Sequence, residues 1–246
     1  MHSSVTNGGE MVQCVCMIDA RRFAKDRLDI GLMTDDPAMI EFVADEIGLG
    51  APELLRVSRT VTQHRFDLRG SVVKVNIVPG LEATARSGFR ELVLADATAS
   101  QVRRLTGPDG VVFSIVPKGW GGVDHMAVRL TVPDVVVARR HFADALRWDV
   151  DGALVRLGAS AVLLEESEDA PTSVPPATRG WTYLTVQVRD CDAETAAAVA
   201  GGAAVVRQPR THGEVARFSM VADPWGNQIE LSQRASLTGP LPPNDD

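Results

Sequence analysis

Three side chains of this 246-residue chain have both the type and the placement to do chemistry: His125, Tyr183 and Glu230. Each lies in a segment where apolar and polar residues alternate, and a strand sends successive side chains to opposite faces. In 123–132, Met126, Val128 and Leu130 share one face, and His125, Ala127, Arg129 and Thr131 the other. In 181–188, Leu184, Val186 and Val188 oppose Tyr183, Thr185 and Gln187, and in 228–232, Ile229 and Leu231 oppose Gln228, Glu230 and Ser232. The apolar faces can pack on helices, and the polar faces would line a concave sheet open to a ligand. A neutral imidazole beside a carboxylate is the core of a site for Fe²⁺, Mn²⁺ or Zn²⁺. Such an ion polarises a carbonyl or holds two neighbouring substrate oxygens. Spacing alone does not separate this reading from a structural histidine and a solvated glutamate. Trp181 and Trp225 could wall a cavity or simply pack at a sheet edge.

The elements needed to position these groups come as four units. The first has a strand at 28–33, then a helix capped by Asp36 with Pro37 at its first position and Gly48 at its end. Strands at 54–58, 62–68 and 72–78 follow, the last two joined by an Arg69-Gly70 hairpin turn. The second unit has a strand at 89–94, a short helix from Thr98 to Leu105 on the capping-box spacing of Thr98 and Gln101, a turn at 107–110 and a strand at 111–116. The third has the strand at 123–132, a helix from Asp134, strands at 153–157 and 161–164, and an acidic, Pro-containing loop at 165–176. The fourth has the strand at 181–188, a helix from Asp192 to Ala200, and strands at 203–206, 215–221 and 228–232. His125 precedes Asp134, and Tyr183 precedes Asp192, by the same nine residues. The expected fold is α+β, with tandem βαβββ units forming two curved half-barrel-like domains. The first spans 27–118 and carries no metal. The second spans 123–234, closes as one sheet and carries the candidate site. Residues 119–122 link them, with tails at 1–26 and 235–246.

Composition narrows the function further. The length suits two domains of roughly 100–120 residues each. A net charge of −7 and the lack of Lys/Arg runs argue against nucleic acid. Three cysteines, Cys14, Cys16 and Cys191, form no disulfide framework and suggest a reducing, cytoplasmic setting. No apolar run reaches the roughly 18 residues of a membrane span, and 11–20 is a poor signal peptide. His2 and His141 read as a tail residue and a helix-surface residue. The expected partner is a small molecule, and the chain a monomer or homodimer.

The segment Ala222-Asp223-Pro224-Trp225-Gly226-Asn227-Gln228-Ile229-Glu230-Leu231 resembles the D-P-x-G-N-x-[IVL]-E-[IVL] signature of the vicinal oxygen chelate superfamily. That superfamily includes glyoxalase I, bleomycin-resistance proteins and extradiol dioxygenases. Val123-Asp124-His125-Met126 resembles its opening strand. The resemblance places metal ligands at His125 and Glu230, with Tyr183 where the dioxygenases keep a second histidine. A phenol titrating near 10 is an uncommon ligand, which weakens the triad. Glu165 is a candidate third ligand, and His212, in an apparent loop, a further candidate. Ser114 stands where the first half would need the carboxylate. The resemblance implies a metal-dependent dioxygenase-like or lyase/isomerase enzyme, with Tyr183 and His212 as catalytic candidates. The alternative is a metal-free small-molecule binder of the bleomycin-resistance type.

Overall fold

The computed structural model describes residues 19–244, so Cys14, Cys16 and His2 lie outside the described residues. The first unit runs β1 (Asp29–Thr34), α1 (Ala38–Glu41, continued by a wider π turn, Phe42–Glu46), β2 (Glu53–Arg56), β3 (Thr62–Leu68) and β4 (Ser71–Ile77). The second is β5 (Phe89–Asp96), β6 (Arg103–Thr106) and β7 (Val112–Pro117). The third is β8 (Met126–Val132), α2 (Val135–Asp144), β9 (Asp149–Asp151), β10 (Leu154–Leu157) and β11 (Ser160–Glu166). The fourth is β12 (Gly180–Gln187), α3 (Cys191–Ala200), β13 (Ala204–His212), β14 (Ala216–Ala222) and β15 (Gln228–Arg234), followed by α4 (Ala235–Thr238).

Local chemistry explains most boundaries. The Asp134 carboxylate accepts the backbone N–H groups of Val136 and Val137, satisfying two orphan donors at the start of α2. Asp36 does the same for Ala38. Arg69 and Gly70 both have positive φ, 48° and 95°, as a two-residue hairpin turn between twisted strands demands. Three expectations need correction. Asp190, not Asp192, caps α3, because its side chain accepts from Ala193 N–H. Residues 98–105 hold no helix: Asp96 accepts both the N–H and the hydroxyl of Thr98, diverting the supposed capping residue into a turn, and 103–106 pair as β6. Residues 165–166 belong to β11, and β9 was not anticipated.

The sheet pairing also departs from expectation. The first unit joins the fourth in an eight-stranded sheet, β13-β14-β15-β12-β1-β4-β3-β2, and the second joins the third in a seven-stranded one, β6-β7-β5-β8-β11-β10-β9. The two units of 123–234 therefore do not close on one another: β8 and β12 lie in different sheets. The joints are antiparallel, β1 with β12 and β5 with β8. The sheet curls as a half-barrel.

The apolar faces of both sheets share one core, with Ile30, Val73, Leu184 and Ile229 from the larger sheet and Leu92, Phe113, Val128 and Leu130 from the smaller. Met39 and Phe42 of α1, Phe142 of α2 and Ala198 of α3 join it. Phe113 meets Phe42 and Trp181 edge-on, at ring-centroid distances of 5.8 and 5.1 Å. Trp181 is thus a packing residue, and its indole N–H donates to the Val112 carbonyl. His141 is buried, not on the helix surface. Among the described residues no helix is long and apolar enough to cross a membrane.

Candidate functional site

The polar face of the eight-stranded sheet gathers most of the chemistry. Register places Asp29 beside Thr185, Thr185 beside Glu230 and Lys74 beside Gly31, with the side chains of Asp29, Lys74, Thr185 and Glu230 on the face opposite the core. Lys74 sits at the centre. Its ammonium donates to Thr185 Oγ1 at 2.6 Å and to Glu230 Oε1 at 3.1 Å, and lies 5.4 Å from the centroid of the Tyr183 ring. Lys74 is almost fully buried, while the Glu230 side chain keeps 16% exposure toward the mouth of the face. An ammonium held by a carboxylate, a hydroxyl and an aromatic face is the standard way to keep a lysine charged below the surface.

Beside this centre, the Tyr183 hydroxyl accepts from Asn76 Nδ2 at 3.3 Å, and Gln63 Nε2 donates to Asn76 Oδ1 at 2.9 Å. Burial, then the Glu230 charge, push the Tyr183 phenol well above its ordinary range, so it stays protonated. Asp29, also buried, accepts from Lys25, from the Val72 N–H and from Gln187. Along β14, Phe218 and Met220 share this face, because Met220 pairs with Glu230 and Phe218 with Ser232. Arg207, Arg210 and His212 of β13 pair with Met220, Phe218 and Ala216, which puts them on this face too.

Of the residues anticipated from sequence, Tyr183, Glu230 and His212 share this face. His212 is the exposed last residue of β13, not a loop residue, and its ring stacks on Phe218 at 4.6 Å. His125 and Glu165 are elsewhere. His125 immediately precedes β8 in the other sheet, and its Nε2 lies 3.0 Å from the hydroxyl of Ser71, a residue on the core side of β4. Burial, then the Arg27 and Arg69 charges, lower its pKa to about 4. Glu165 ends in an ion pair with Arg129 on the seven-stranded sheet. Alternation places Tyr183 and Glu230 on the polar face of their strands, whereas His125 precedes β8 of the other sheet and meets core-side Ser71. Lys74 was missed, although alternation along Ser71–Ile77 puts Lys74 and Asn76 together on the polar side.

These donors do not fit a resident divalent ion at Glu230. The Lys74 ammonium already occupies the carboxylate's inner side, the Tyr183 phenol is protonated, and His125 is across the core. No group of three His, Cys, Asp or Glu side chains with metal-site geometry occurs among the described residues.

The seven-stranded sheet has its own outward face, with Ser114 and Arg129 both bonded to Glu91 above a small apolar cluster that includes Val93, Ala127 and Ala161. Ser114 and Arg129 outweigh burial and hold the Glu91 carboxyl below its usual range. A surface cavity of about 620 Å³ between α3 and β13 is lined by Asp192 and Arg217, which are bound to each other.

The signature around Glu230 turns out to build the fold. Asp223 accepts the N–H groups of Trp225 and Asn227, and the Asn227 carboxamide accepts the Gly88 N–H at 2.6 Å, tying the turn before β15 to the start of β5. A Cβ on Gly226 would lie 2.5 Å from the Val174 carbonyl oxygen, so only glycine fits.

Comparison with known proteins agrees with this geometry. Residues 122–231 match the family model "Glyoxalase/Bleomycin resistance protein/Dioxygenase superfamily". No curated protein matches the sequence. Glyoxalase I from Zea mays superposes with a TM-score of 0.66 at 14% identity, covering 84% of this chain and 92% of that one. The cppA protein from Streptococcus pneumoniae TIGR4 gives 0.54 at 11% identity, covering 84% and 97%. At such identities the likeness establishes the fold. Residues 122–231 thus carry the sequence pattern of the glyoxalase/bleomycin resistance/dioxygenase superfamily, and the chain as a whole has the glyoxalase fold.

Proposed function

We propose that this protein binds a small organic molecule on the polar face of its eight-stranded sheet without a resident metal. The observation that carries this reading is Lys74, whose ammonium stands 3.1 Å from the Glu230 carboxylate and 2.6 Å from Thr185. A lysine there supplies in covalent form the positive charge that a divalent ion would otherwise bring. It also keeps a donor in reserve. An ammonium has three N–H groups, and among the described residues two hydrogen-bond acceptors are occupied. The third can meet an oxygen of the ligand. Tyr183 and Asn76 would shape the wall, and Phe218 and Met220 would contact an apolar body.

The test is calorimetric titration of Mn²⁺ and Zn²⁺ into the full chain, its Glu230→Gln variant and its Lys74→Gln variant. The expected result is no Glu230-dependent uptake by the wild type near neutral pH. Firm uptake that Glu230→Gln abolishes would overturn the reading and restore a metal-dependent enzyme to first place.

A further inference from the structure

The charges on the polar face are unevenly matched. Each acid there has a partner: Asp29 has Lys25, Glu230 has Lys74, Glu53 has Arg65, and Asp67 accepts the backbone N–H groups of Arg69 and Gly70. Three arginines do not. Among the described residues, Arg207, Arg210 and Arg234 have no ion pair and no side-chain hydrogen bond. Their register brings them to the same region. Arg210 pairs with Phe218, Arg207 with Met220, and Arg234 with Ala216, which is also the partner of His212. The Arg207 guanidinium lies 5.6 Å from the Phe218 ring centroid. Ala216, the smallest of these, lies between His212 and Arg234 in the register.

Arg65 extends the cluster from the other side. β3 and β15 are four strands apart, yet the Arg234 charge, after burial, depresses the Arg65 guanidinium. The curl of the sheet therefore brings like charges toward one another. Such a concentration of cations, with Arg207, Arg210 and Arg234 free of any ion pair among the described residues, favours a negatively charged visitor in a chain of net charge −7.

Resting on the binding function proposed above, we infer that the ligand is an anionic small molecule with an apolar body, its acid group received by Arg207, Arg210 and Arg234 and its body laid against Phe218 and Met220. A guanidinium offers paired donors matched to a carboxylate or a phosphate. The shared chemistry is the anionic oxygen group, and the assignment does not depend on which of the two acids bears it.

The experiment uses the full chain with three matched probes, 1-naphthoate, 1-naphthyl phosphate and uncharged 1-naphthamide, followed by calorimetry. The two anions are expected to bind at least about tenfold more tightly than the amide, as charge-assisted hydrogen bonds imply. The Arg207→Gln/Arg210→Gln variant, altered at two exposed positions, should lose that preference, as should Arg234→Gln. Added salt should weaken the anions and leave the amide unchanged. Equal binding of anion and amide would overturn the ligand class while leaving the binding function intact. Unchanged anion binding by both variants would overturn the arginine assignment. If none of the three probes binds, the inference and the binding function fall together.

Discussion

The Tyr183 ring rests directly on the backbone of Gly31: a Cβ built on Gly31 would lie 2.2 Å from the Tyr183 Cζ. The strand pairing shifts register at this point: Gly31 pairs with Tyr183 and Leu32 with Trp181, so β12 carries the extra residue, Thr182. Gly31→Ala should therefore force the phenol off its site and destabilise the protein by about 1–3 kcal/mol, the usual cost of overpacking. In a Tyr183→Ala background the same change should cost little. A double-mutant cycle by urea unfolding checks this, and additive effects would refute the contact.

Lys74 and Glu230 should depend on each other. Removing one partner strands a poorly solvated charge, so Lys74→Met alone should cost about 3–5 kcal/mol. The Lys74→Met/Glu230→Leu pair should recover much of that loss. Denaturant titration of the four proteins decides it.

The two buried histidines set a pH dependence. Burial lowers both His125 and His141 from 6.5 to about 4. Between those values the unfolded chain binds protons that the folded chain refuses, so stability rises with pH across that window and is lost as pH falls from 6.5 toward 4. Each histidine should contribute about 2–3 kcal/mol to that loss. His141 Nε2 has no hydrogen-bond partner, so His141→Leu should flatten the slope without loss at pH 7.5. Urea midpoints at several pH values measure both effects.

Asn227 should act on stability and not on ligand binding. Asn227→Ala would leave the Gly88 N–H buried and unpaired, a loss of about 1–3 kcal/mol. Ligand affinity measured below the melting range should be unchanged, which separates the turn's structural role from the chemistry beside it.

Much of the architecture was legible in the sequence because its determinants are local. Asp134 and the Arg69-Gly70 turn act within four residues of themselves, and the alternation along β12 and β15 assigns faces without reference to any other strand. Which unit pairs with which is a different kind of fact. β1 meets β12 across some 150 residues of chain, and no local pattern encodes that choice. The error carried directly into the site. Glu230 lies where its strand places it, but His125 precedes β8 of the other sheet, and a site joining the two requires a shared sheet. Lys74 follows from the same alternation along β4, but a lysine is no ligand for a divalent ion and no motif surrounds it. The Arg207–Arg210 cluster could not be read, since β13 is bulged and its register emerges only from pairing with β14.

The nesting of the sheets has a consequence for how the chain is made. The entire seven-stranded sheet comes from one uninterrupted stretch, Phe89 to Glu166, whereas the eight-stranded sheet joins segments from either side of that stretch. During synthesis the inner sheet has all its strands as soon as β11 leaves the ribosome, and its closures are comparatively short. β1 and β4, with the buried polar groups Asp29 and Lys74, must then wait with one edge unpaired until β12 arrives. That interval, when a strand edge and half a core lie open, is when the nascent chain is most exposed to aggregation and to chaperones.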